Sequence, residues 1–571
     1  MKCKLFALLL FITNLAIAQQ TVFEKSMGTQ TATYFETIAF YKKLASLSNK
    51  VLVKEMGQTD AGYPLHLVMV SANKKFEPEQ WHKQNKVVIL INNGIHPGEP
   101  DGIDASMMLA RDIANNTITL PDNVALAFIP IYNIGGALNR NSYSRVSQNG
   151  PAAYGFRGNS QNLDLNRDFI KNDSKESQTF ARLFHWLNPD IFIDNHVSDG
   201  ADFEHTMTLI TTQYEKLGAI AGAWLRQVLE PKIYEGMKQK KWDVIPYVDF
   251  DAANFNKGID MFYETPRYSS GYASLFGTFS FIPETHMLKP YKQRVAATFD
   301  LMLTILTVAS NNGTALKKIR KQNIIAIQNQ SKYTLKWQID RTKQSQITFN
   351  GYEQDTAISK ATGLQSMYYN HNKPYSKQVT FYNYYRPVNE VVKPNGYIIP
   401  AGWHDVVARL ALNKVKFYQL KKDSLIGVTT YKIKEYKSRT VAYEKHHPNY
   451  AVKVTEERDS LLFLKGDYII PLNQTNNRYI IEVLEPTGED GFFVWNFFDA
   501  ILQQKEGYTD YRWEDVAAQY LTTNTKLAEE LIKKKLTDTA FAKNATAQLA
   551  YIYKNSPYYE KVHNRYPVYK Y

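Results

Sequence analysis

Residues 86–110 carry the pattern that most limits what this chain can fold into: a buried strand, a tight turn and a helix. Residues 87–91 are apolar and almost entirely β-branched, which is typical of a strand buried on both faces of a parallel sheet. The turn that follows is rich in glycine, asparagine and proline, and it contains His96 and Glu99. Because ligands of open α/β sheets bind at the carboxyl ends of the strands, we expect these two side chains to face a site.

The alternation of strands and helices continues to about residue 310. Apolar strands are predicted at 124–131, 191–193 and 276–282, and helices at 174–187 and 291–308. Strands that alternate with helices are characteristic of an α/β layered domain with a mostly parallel sheet.

The length of 571 residues exceeds one ordinary domain, and the pattern changes twice along the chain. From about residue 322 we predict short strands, interrupted by one helix at 404–412, and helical patterns return from residue 495. We therefore divide the chain into a signal peptide at 1–18, an α/β domain at 19–315, a β-rich accessory domain at 316–485 and a helical C-terminal segment at 486–571.

The N-terminus has the parts of a secretory signal peptide. Lys2 and Lys4 precede an apolar run, and residues 16–18 offer small side chains for cleavage. The only cysteine, Cys3, lies within this segment, so the mature protein would contain neither disulfides nor cysteine ligands. No later apolar stretch is long enough to span a bilayer. We expect export to a periplasm or to the medium.

The net charge of +13 is spread along the chain rather than gathered in a recognisable nucleic-acid-binding module. We therefore expect no nucleic-acid partner, and only non-specific attraction to anionic surfaces. No pattern in the sequence sets the oligomeric state.

Two more polar residues, His196 and Glu284, end predicted strands. With His96 and Glu99, His196 would complete three zinc ligands and leave one coordination position open, as catalytic zinc requires. Glu284 follows an apolar run that would keep its surroundings dry, and it would act as the general base for an attacking water.

The polar loop at 139–167 supplies the remaining candidates. Arg157 would stabilise a developing oxyanion. Asn166 and Arg167 would hold a terminal carboxylate, because arginine offers a planar, bidentate fork. Asp164 would orient a zinc-bound histidine by accepting a hydrogen bond from its second ring nitrogen. The combination indicates metal-assisted hydrolysis at a peptide C-terminus.

Together these residues resemble the carboxypeptidase A-like zinc metallocarboxypeptidase family. The matching pieces stand in the family's order: His96-Pro-Gly-Glu99, Asp164-Leu-Asn166-Arg167, His196 and Glu284. The resemblance covers roughly residues 33–310. It implies a three-layer α/β/α sandwich around a mixed, mostly parallel sheet, one zinc ion, and hydrolysis of C-terminal bonds in peptide or protein substrates with a free C-terminus.

The resemblance leaves two assignments with a rival each. The family's mobile tyrosine lies about twenty residues before the glutamate, where Tyr263 and Tyr268 both qualify, and we assign Tyr263. The family's oxyanion arginine corresponds to Arg157 or Arg145, and we prefer Arg157 because it leads directly into the Asn-Arg segment.

Two other histidines lie near the predicted site residues. His205 is a rival for the third zinc ligand, but it falls at the predicted start of another strand. His286 is two residues beyond Glu284, and we interpret it as structural.

Two other functions stay open. A zinc amidohydrolase of the aspartoacylase-like branch, acting on acylated amino acids or cell-wall peptides, would share the zinc pair and the Asn-Arg pair. Members of that branch are usually short and cytosolic, unlike this chain. A non-catalytic peptide-binding protein on a peptidase scaffold would be expected to lack Glu284 or a zinc ligand, and none is missing. Residues 264–272 depart from the animal digestive enzymes, so the preferred C-terminal side chain is not predicted.

Overall fold

The computed structural model describes residues 19–248 and 257–571, so the predicted signal peptide lies outside the described residues. The first half of the chain contains the following helices and strands, in order: α1 (Val22–Lys25), α2 (Tyr34–Leu47), β1 (Val51–Gln58), β2 (Pro64–Val70), α3 (Pro78–Lys83), β3 (Val87–Asn92), α4 (Asp101–Ala114), β4 (Val124–Ile129), α5 (Ile134–Leu138), α6 (Lys175–Leu187), β5 (Ile191–Asp194), β6 (His196–Ser198), β7 (Met207–Thr211), α7 (Tyr214–Leu217), α8 (Ala219–Trp224), α9 (Glu230–Gln239), β8 (Ile245–Pro246), β9 (Ile259–Asp260), α10 (Ser269–Ser274), β10 (Phe279–His286), α11 (Tyr291–Asn311) and α12 (Gly313–Asn329).

The second half begins with strands and ends with helices, as predicted. Its elements are β11 (Lys332–Ile339), β12 (Ser345–Ile358), β13 (Gln365–Tyr382), β14 (Tyr385–Val392), β15 (Gly396–Ile399), α13 (His404–Leu412), β16 (Tyr418–Gln419), β17 (Ser424–Ser438), β18 (Asn449–Phe463), β19 (Tyr468–Pro471), α14 (Asn477–Leu484), α15 (Asp510–Thr523), α16 (Thr525–Thr537), α17 (Thr539–Ala542), α18 (Ala545–Lys554) and β20 (Tyr569–Lys570).

A nine-stranded mixed sheet organises the first half. Eight of its strands lie in the order β1-β2-β4-β3-β5-β10-β7-β8, and β6 pairs with β10. The central pairs, β4 with β3, β3 with β5 and β5 with β10, are all parallel. Antiparallel pairs join β1 to β2, β2 to β4 and β7 to β10. The predicted fold class, a mixed and mostly parallel sheet between helical layers, is therefore confirmed.

Strand β3 shows how its sequence places one core on each face of the sheet. Val87, Ile89 and Ile91 belong to a core that also contains residues of α2, α4, α9 and α11. Val88 and Leu90 face the opposite core, which contains residues of α3, α6 and α10. Because side chains alternate along a strand, a run of apolar residues without interruption is what a strand covered on both faces requires.

The second core continues into the C-terminal half. It includes Val406 and Leu410 of α13, Ile480 of α14 and the fully buried Trp495. The predicted boundary after residue 315 falls within α12. The division into domains stays a prediction, but the two halves share apolar contacts that neither would bury alone.

Two long antiparallel hairpins project from the C-terminal half. One is formed by β12 and β13, and the other by β17 and β18. Across the described part of the chain, none of the helices combines the length and the apolar character needed to cross a bilayer.

Candidate metal and catalytic site

The candidate site lies at the carboxyl edge of the central strands. The turn after β3 carries His96 and Glu99, and a single residue separates the end of β5 at Asp194 from His196, which begins β6. Glu284 lies in β10, where it is the register partner of His196 on the neighbouring parallel strand. Three adjacent strand ends thus bring these four side chains together, at the edge that the sequence indicated.

His96, Glu99 and His196 form a buried cluster whose potential ligand atoms all lie within 4.8 Å of one another. Nδ1 of His96 is 3.3 Å from Oε1 of Glu99, and Nδ1 of His196 is 3.2 Å from Oε2 of Glu99. Nδ1 of His96 is buried and has no hydrogen-bond partner among the residues that the structure describes. Two imidazole nitrogens and a carboxylate that converge in this way suit a zinc ion.

The outer nitrogens of both histidines face carboxylates. Nε2 of His96 lies 2.9 Å from Oδ1 of Asp164, and Nε2 of His196 lies 3.2 Å from Oδ2 of Asp194. A carboxylate on the second ring nitrogen fixes the tautomer and turns Nδ1 towards a metal. The donor set therefore fits zinc in its orientation as well as in its residue types.

Both candidate arginines contact this cluster, in different ways. Arg145 donates from Nη1 to Oε1 of Glu99 over 2.8 Å and from Nη2 to the carbonyl of Val197. Nε and Nη2 of Arg157 both lie 2.9 Å from Oδ2 of Asp164, and its side chain is 45% exposed. Arg157 is the more exposed of the two side chains, at 45% against 16% for Arg145.

Opposing effects set the protonation of the acidic residues. Burial alone would raise the pKa of Glu99, but the charges of His96 and Arg145 outweigh it and hold the pKa well below its usual value. The pKa of Asp164 is likewise lowered, because His96 again outweighs burial. Both residues are therefore carboxylates at neutral pH and remain able to accept hydrogen bonds or bind a cation.

Glu284 behaves differently from Glu99. Burial raises the pKa of Glu284 to about 8, against the opposing charge of His196, and the negative charge of Glu99 adds to the increase. Burial would lower the pKa of His196, but Asp194 outweighs it and raises that pKa well above the usual value. A cation beside Glu284 would favour its charged form, which is the form that accepts a proton.

The Asn-Arg segment lies in a short 3₁₀ turn, Leu165–Arg167, that Asp164 caps by accepting a hydrogen bond from the Asn166 amide. The guanidinium carbon of Arg167 lies 4.4 Å from the ring centroid of Tyr268. Oδ1 of the buried Asn166 has no hydrogen-bond partner within the described residues. The segment therefore presents a cation and a free amide oxygen to the same space.

A cavity of about 450 Å³ joins these groups. Every predicted site residue except Tyr263 and Asp164 lines it, and so does Arg145. Lining residues that the sequence did not indicate include Ile210, Tyr247, Phe262 and Glu264.

Tyr263 does not line the cavity, although it was assigned as the family's mobile tyrosine. Its hydroxyl donates to Oε2 of Glu489 over 2.9 Å, and its ring lies 5.3 Å from that of Tyr385. Tyr268, its rival, lines the cavity and covers Arg167. The structure thus brings Tyr268 rather than the assigned Tyr263 to the cavity, because Tyr263 contacts the C-terminal half instead, and the choice of the substrate-contacting tyrosine stays a prediction.

The two other histidines lie apart from the metal cluster. His205 accepts from the Asn350 amide at Nε2, and its Nδ1 lies 3.0 Å from the Asp243 carbonyl. Nε2 of His286 contacts the Ala201 carbonyl, and burial lowers the pKa of His286 to about 4. Both contacts are those of structural histidines.

Comparisons with known proteins bear on this arrangement. Residues 37–194 match the family model described as zinc carboxypeptidase. The chain contains a zinc carboxypeptidase domain. This confirms the predicted resemblance and places the chain among the zinc metallopeptidases. The matching segment includes His96 and Glu99 and ends before His196.

Carboxypeptidases with similar sequences extend the match beyond this segment. Carboxypeptidase 2 of Trichophyton rubrum is 22% identical over an alignment of 510 residues, which covers 82% of this chain and 84% of that protein. Carboxypeptidase 2 of Trichophyton equinum is 22% identical over 509 residues, with the same two shares. Because these lengths exceed the predicted α/β domain, the alignments include much of the C-terminal half.

Solved structures with some similarity include two carboxypeptidases. A metallo-carboxypeptidase from Burkholderia cenocepacia aligns with 49% of this chain and 70% of its own, at 17% identity and a TM-score of 0.37. Carboxypeptidase A from Helicoverpa armigera aligns with 49% of this chain and 74% of its own, at 16% identity and a TM-score of 0.38.

The sequence analysis assigned no role to Asp194, Phe262 or Tyr247. Asp194, the partner of His196, stands two residues before it, so a strand that ends in Asp-Asn-His was an available signal. Phe262 and Tyr247 gave no signal, because aromatic residues are common throughout this chain and most of them serve packing.

Proposed function

We propose that the protein is an exported, zinc-dependent carboxypeptidase that removes C-terminal residues from peptides or proteins. One observation carries the proposal: the His-Glu-His cluster, Glu284 and the Asn166-Arg167 pair all line one cavity. A fixed cation beside a hydrolytic centre has a clear use when each substrate ends in a carboxylate. An enzyme that cleaves internal bonds has no such charge to recognise.

His96, Glu99 and His196 would hold a single zinc ion, and Asp164 and Asp194 would fix the two imidazole rings. Bound zinc would polarise the scissile carbonyl and lower the pKa of a water molecule in its open position. These two effects require that one coordination position be left free by the protein, and three ligands leave it free.

Glu284 would supply the proton transfers. Its carboxylate would accept a proton from the attacking water and pass it to the nitrogen of the departing amino acid. Arg157, which is half exposed beside the metal cluster, would donate hydrogen bonds to the carbonyl oxygen as negative charge develops there.

Asn166 and Arg167 would bind the terminal carboxylate of the substrate. Arg167 offers paired N–H donors, and the side-chain NH2 of Asn166 would add a further donor, since a carboxylate only accepts hydrogen bonds. Tyr268 would lie against the bound C-terminal residue, since its ring already covers one face of the Arg167 guanidinium.

A peptide-library digest analysed by mass spectrometry tests this function. We expect products shortened one residue at a time from the C-terminus, and no internal cleavage. Internal products, or products that require removal of an N-terminal acyl group, would contradict the proposal and favour another hydrolase.

Export is tested separately. The proposal rests on residues 1–18, whose two lysines, apolar run and small cleavage residues are those of a signal peptide. N-terminal sequencing of the protein recovered from periplasmic and medium fractions should give Gln19 as the first residue. Recovery of an uncleaved N-terminus from the cytoplasm would contradict export.

A further inference from the structure

A hairpin tip from the C-terminal half reaches the proposed carboxylate site. The connection between β17 and β18, residues 439–448, folds back on itself at its tip through a two-residue turn formed by Glu444 and Lys445, which the bridge between Tyr443 and His446 closes. The amides and carbonyls of Tyr443 and His446 exchange two hydrogen bonds across it, of 2.7 and 3.1 Å. We call residues 443–446 the hairpin tip.

The turn at the hairpin tip has an uncommon backbone. Glu444 has a φ of 49° and Lys445 a φ of 72°. Two consecutive positive φ values define a tight hairpin turn for which Asn-Gly is the favoured sequence. Side chains other than glycine or asparagine occupy this conformation at a cost, so surrounding contacts must hold it.

Those contacts attach the hairpin tip to both halves of the chain. Nε2 of His446 lies 2.7 Å from Oδ2 of Asp173. The ring of Tyr443 stacks on Trp495, with ring centroids 6.2 Å apart and an angle of 17° between the planes. The tip is therefore held in place independently of its contacts with the site.

Two further contacts lead directly into the Asn-Arg segment. Nε of Arg167 donates to the hydroxyl of Tyr443 over 3.1 Å. The backbone N–H of Asp164 donates to Oε2 of Glu444 over 2.8 Å. One contact fixes the side chain of Arg167, and the other fixes the backbone from which Asp164 contacts His96 and Arg157.

The contact with Tyr443 determines which donors of Arg167 face the cavity. Nε is used by Tyr443 and Nη1 by the carbonyl of Asn166. Nη2 has no hydrogen bond to any described residue, and the ring of Tyr268 covers one face of the guanidinium. A flexible arginine is thus held in one orientation before a ligand arrives, which lowers the entropy cost of binding.

We infer that Tyr443 and Glu444 are positioning residues of the carboxylate site, so that the C-terminal half completes the recognition of the substrate's C-terminus. The inference rests on the proposed function. Tyr443 acts through Arg167 and touches neither the scissile bond nor the metal ligands. Its removal should weaken recognition of the carboxylate while zinc binding stays intact.

A double-mutant cycle between Tyr443 and Arg167 tests the inference. Tyr443→Phe removes the hydroxyl and keeps the ring that stacks on Trp495. In the full-length zinc-loaded enzyme, it should lower kcat/KM for a free-acid peptide by about 5- to 10-fold, mainly through KM. In the Arg167→Ala background the same change should have no effect, because the group through which it acts is gone.

Tyr450→Phe is the matched control, since Tyr450 lies on the same hairpin and is 51% exposed. It should leave kcat/KM unchanged. Zinc content and the urea midpoint should be equal in all single variants. An equal effect of Tyr443→Phe with and without Arg167, or a loss confined to stability, would overturn the inference.

The second contact is tested by a pair of variants at Glu444. Glu444→Gln keeps a side-chain oxygen that can accept from the Asp164 amide, so it should retain most of the activity. Glu444→Ala should lose several-fold in kcat/KM. Equal losses in the two variants would show that the negative charge matters rather than the hydrogen bond, and would overturn the role given to Glu444.

The same assays separate this inference from the proposed function. If the wild-type enzyme cleaves free-acid and amidated peptides equally well, the carboxypeptidase proposal is wrong and the inference falls with it. If the wild-type enzyme prefers the free acid but Tyr443 and Arg167 are not coupled, the proposed function stands and only the inference is wrong.

Discussion

The two sides of the cavity are built from different parts of the chain. On the catalytic side, His96, Glu99, His196 and Glu284 lie at or beside the ends of adjacent strands of one sheet. On the carboxylate side, Arg167 is oriented by Tyr443, which follows it by 276 residues. Main-chain hydrogen bonds of the sheet fix the first set, whereas side-chain contacts between the two halves fix the second.

We expect this difference to separate the effects of substitutions on catalysis from their effects on substrate recognition. A sheet cannot shift one strand end without losing ladder hydrogen bonds, so changes on the catalytic side should act on all substrates alike. The carboxylate side depends on single side-chain contacts, so changes there should be graded and should depend on the substrate's terminus.

The largest effect is expected at the metal ligands. His196→Ala should remove zinc and abolish activity, because two ligands do not retain a catalytic zinc ion. Metal analysis of wild-type protein should give about one zinc per chain. His205→Gln is the control and should keep its zinc. Loss of zinc in the His205 variant, with retention in the His196 variant, would exchange their roles.

The next effect concerns Glu284 alone. Glu284→Gln keeps the shape of the side chain but cannot accept a proton, so turnover should fall by roughly 10²-fold or more. Zinc content should be unchanged, and the loss should be equal for all cleavable peptides. Near-normal steady-state turnover would exclude Glu284 as the general base.

Asp164 contacts residues on both sides of the cavity. Its carboxylate faces His96 and Arg157, and its backbone N–H donates to the carboxylate of Glu444. Asp164→Asn should weaken zinc binding by about 10- to 100-fold, because the imidazole of His96 loses its charged partner. Competition with a chelator measures this. Asp199→Asn, at a carboxylate that lines the same cavity, should change zinc affinity little; an equal effect would mean that cavity charge alone matters.

The smallest effect concerns the core that the halves share. Nε2 of His185 in α6 lies 3.2 Å from Oδ1 of Asn413, just beyond α13, and burial lowers the pKa of His185 to about 4. Below the usual value of 6.5 the unfolded chain binds a proton that the folded chain does not, so stability is present above pH 6.5 and is lost as the pH falls towards 4.

Between pH 7 and pH 5 this loss should amount to about 2 kcal/mol of unfolding free energy. Urea denaturation of the wild type and of His185→Gln at both pH values measures it. The variant should lose less stability than the wild type over this interval. Identical pH dependence in the two proteins would show that His185 is not buried between the halves.

Much of the first half follows from local patterns. The helix predicted at 174–187 is α6, which Ser174 caps by accepting a hydrogen bond from the Ser177 amide. The helix predicted at 404–412 is α13. These elements are predictable because their buried faces are apolar and their ends carry residues with a specific capping role.

Helix α12 was not predicted, for a physical reason. Its buried residues include Arg320 and Asn323, which are polar. Arg320 is paired with Asp190, and Asn323 donates to the Leu217 carbonyl. Tertiary partners thus replace the apolar stripe that marks a helix in sequence, and the part of α12 from residue 322 was assigned to the region of short strands.

The residues of the candidate site also differ in how far the sequence predicted them. The metal cluster and Glu284 were predictable because each stands at a strand end with a recognisable neighbour. The choice between Tyr263 and Tyr268 was not, since both lie in a loop whose course is set by Glu489 and Arg167. No sequence pattern indicated a role for Tyr443, because that role depends on a contact between residues that lie far apart along the chain.

The most direct test of the account compares one good peptide with a free C-terminus and the same peptide with an amidated C-terminus. We expect the wild-type enzyme to cleave the free acid roughly 30-fold or more faster, since the amide leaves Arg167 without its charged partner. Arg167→Ala should largely remove the difference, and Arg167→Lys should restore only part of it. Equal cleavage of the two peptides by the wild-type enzyme would contradict the central claim.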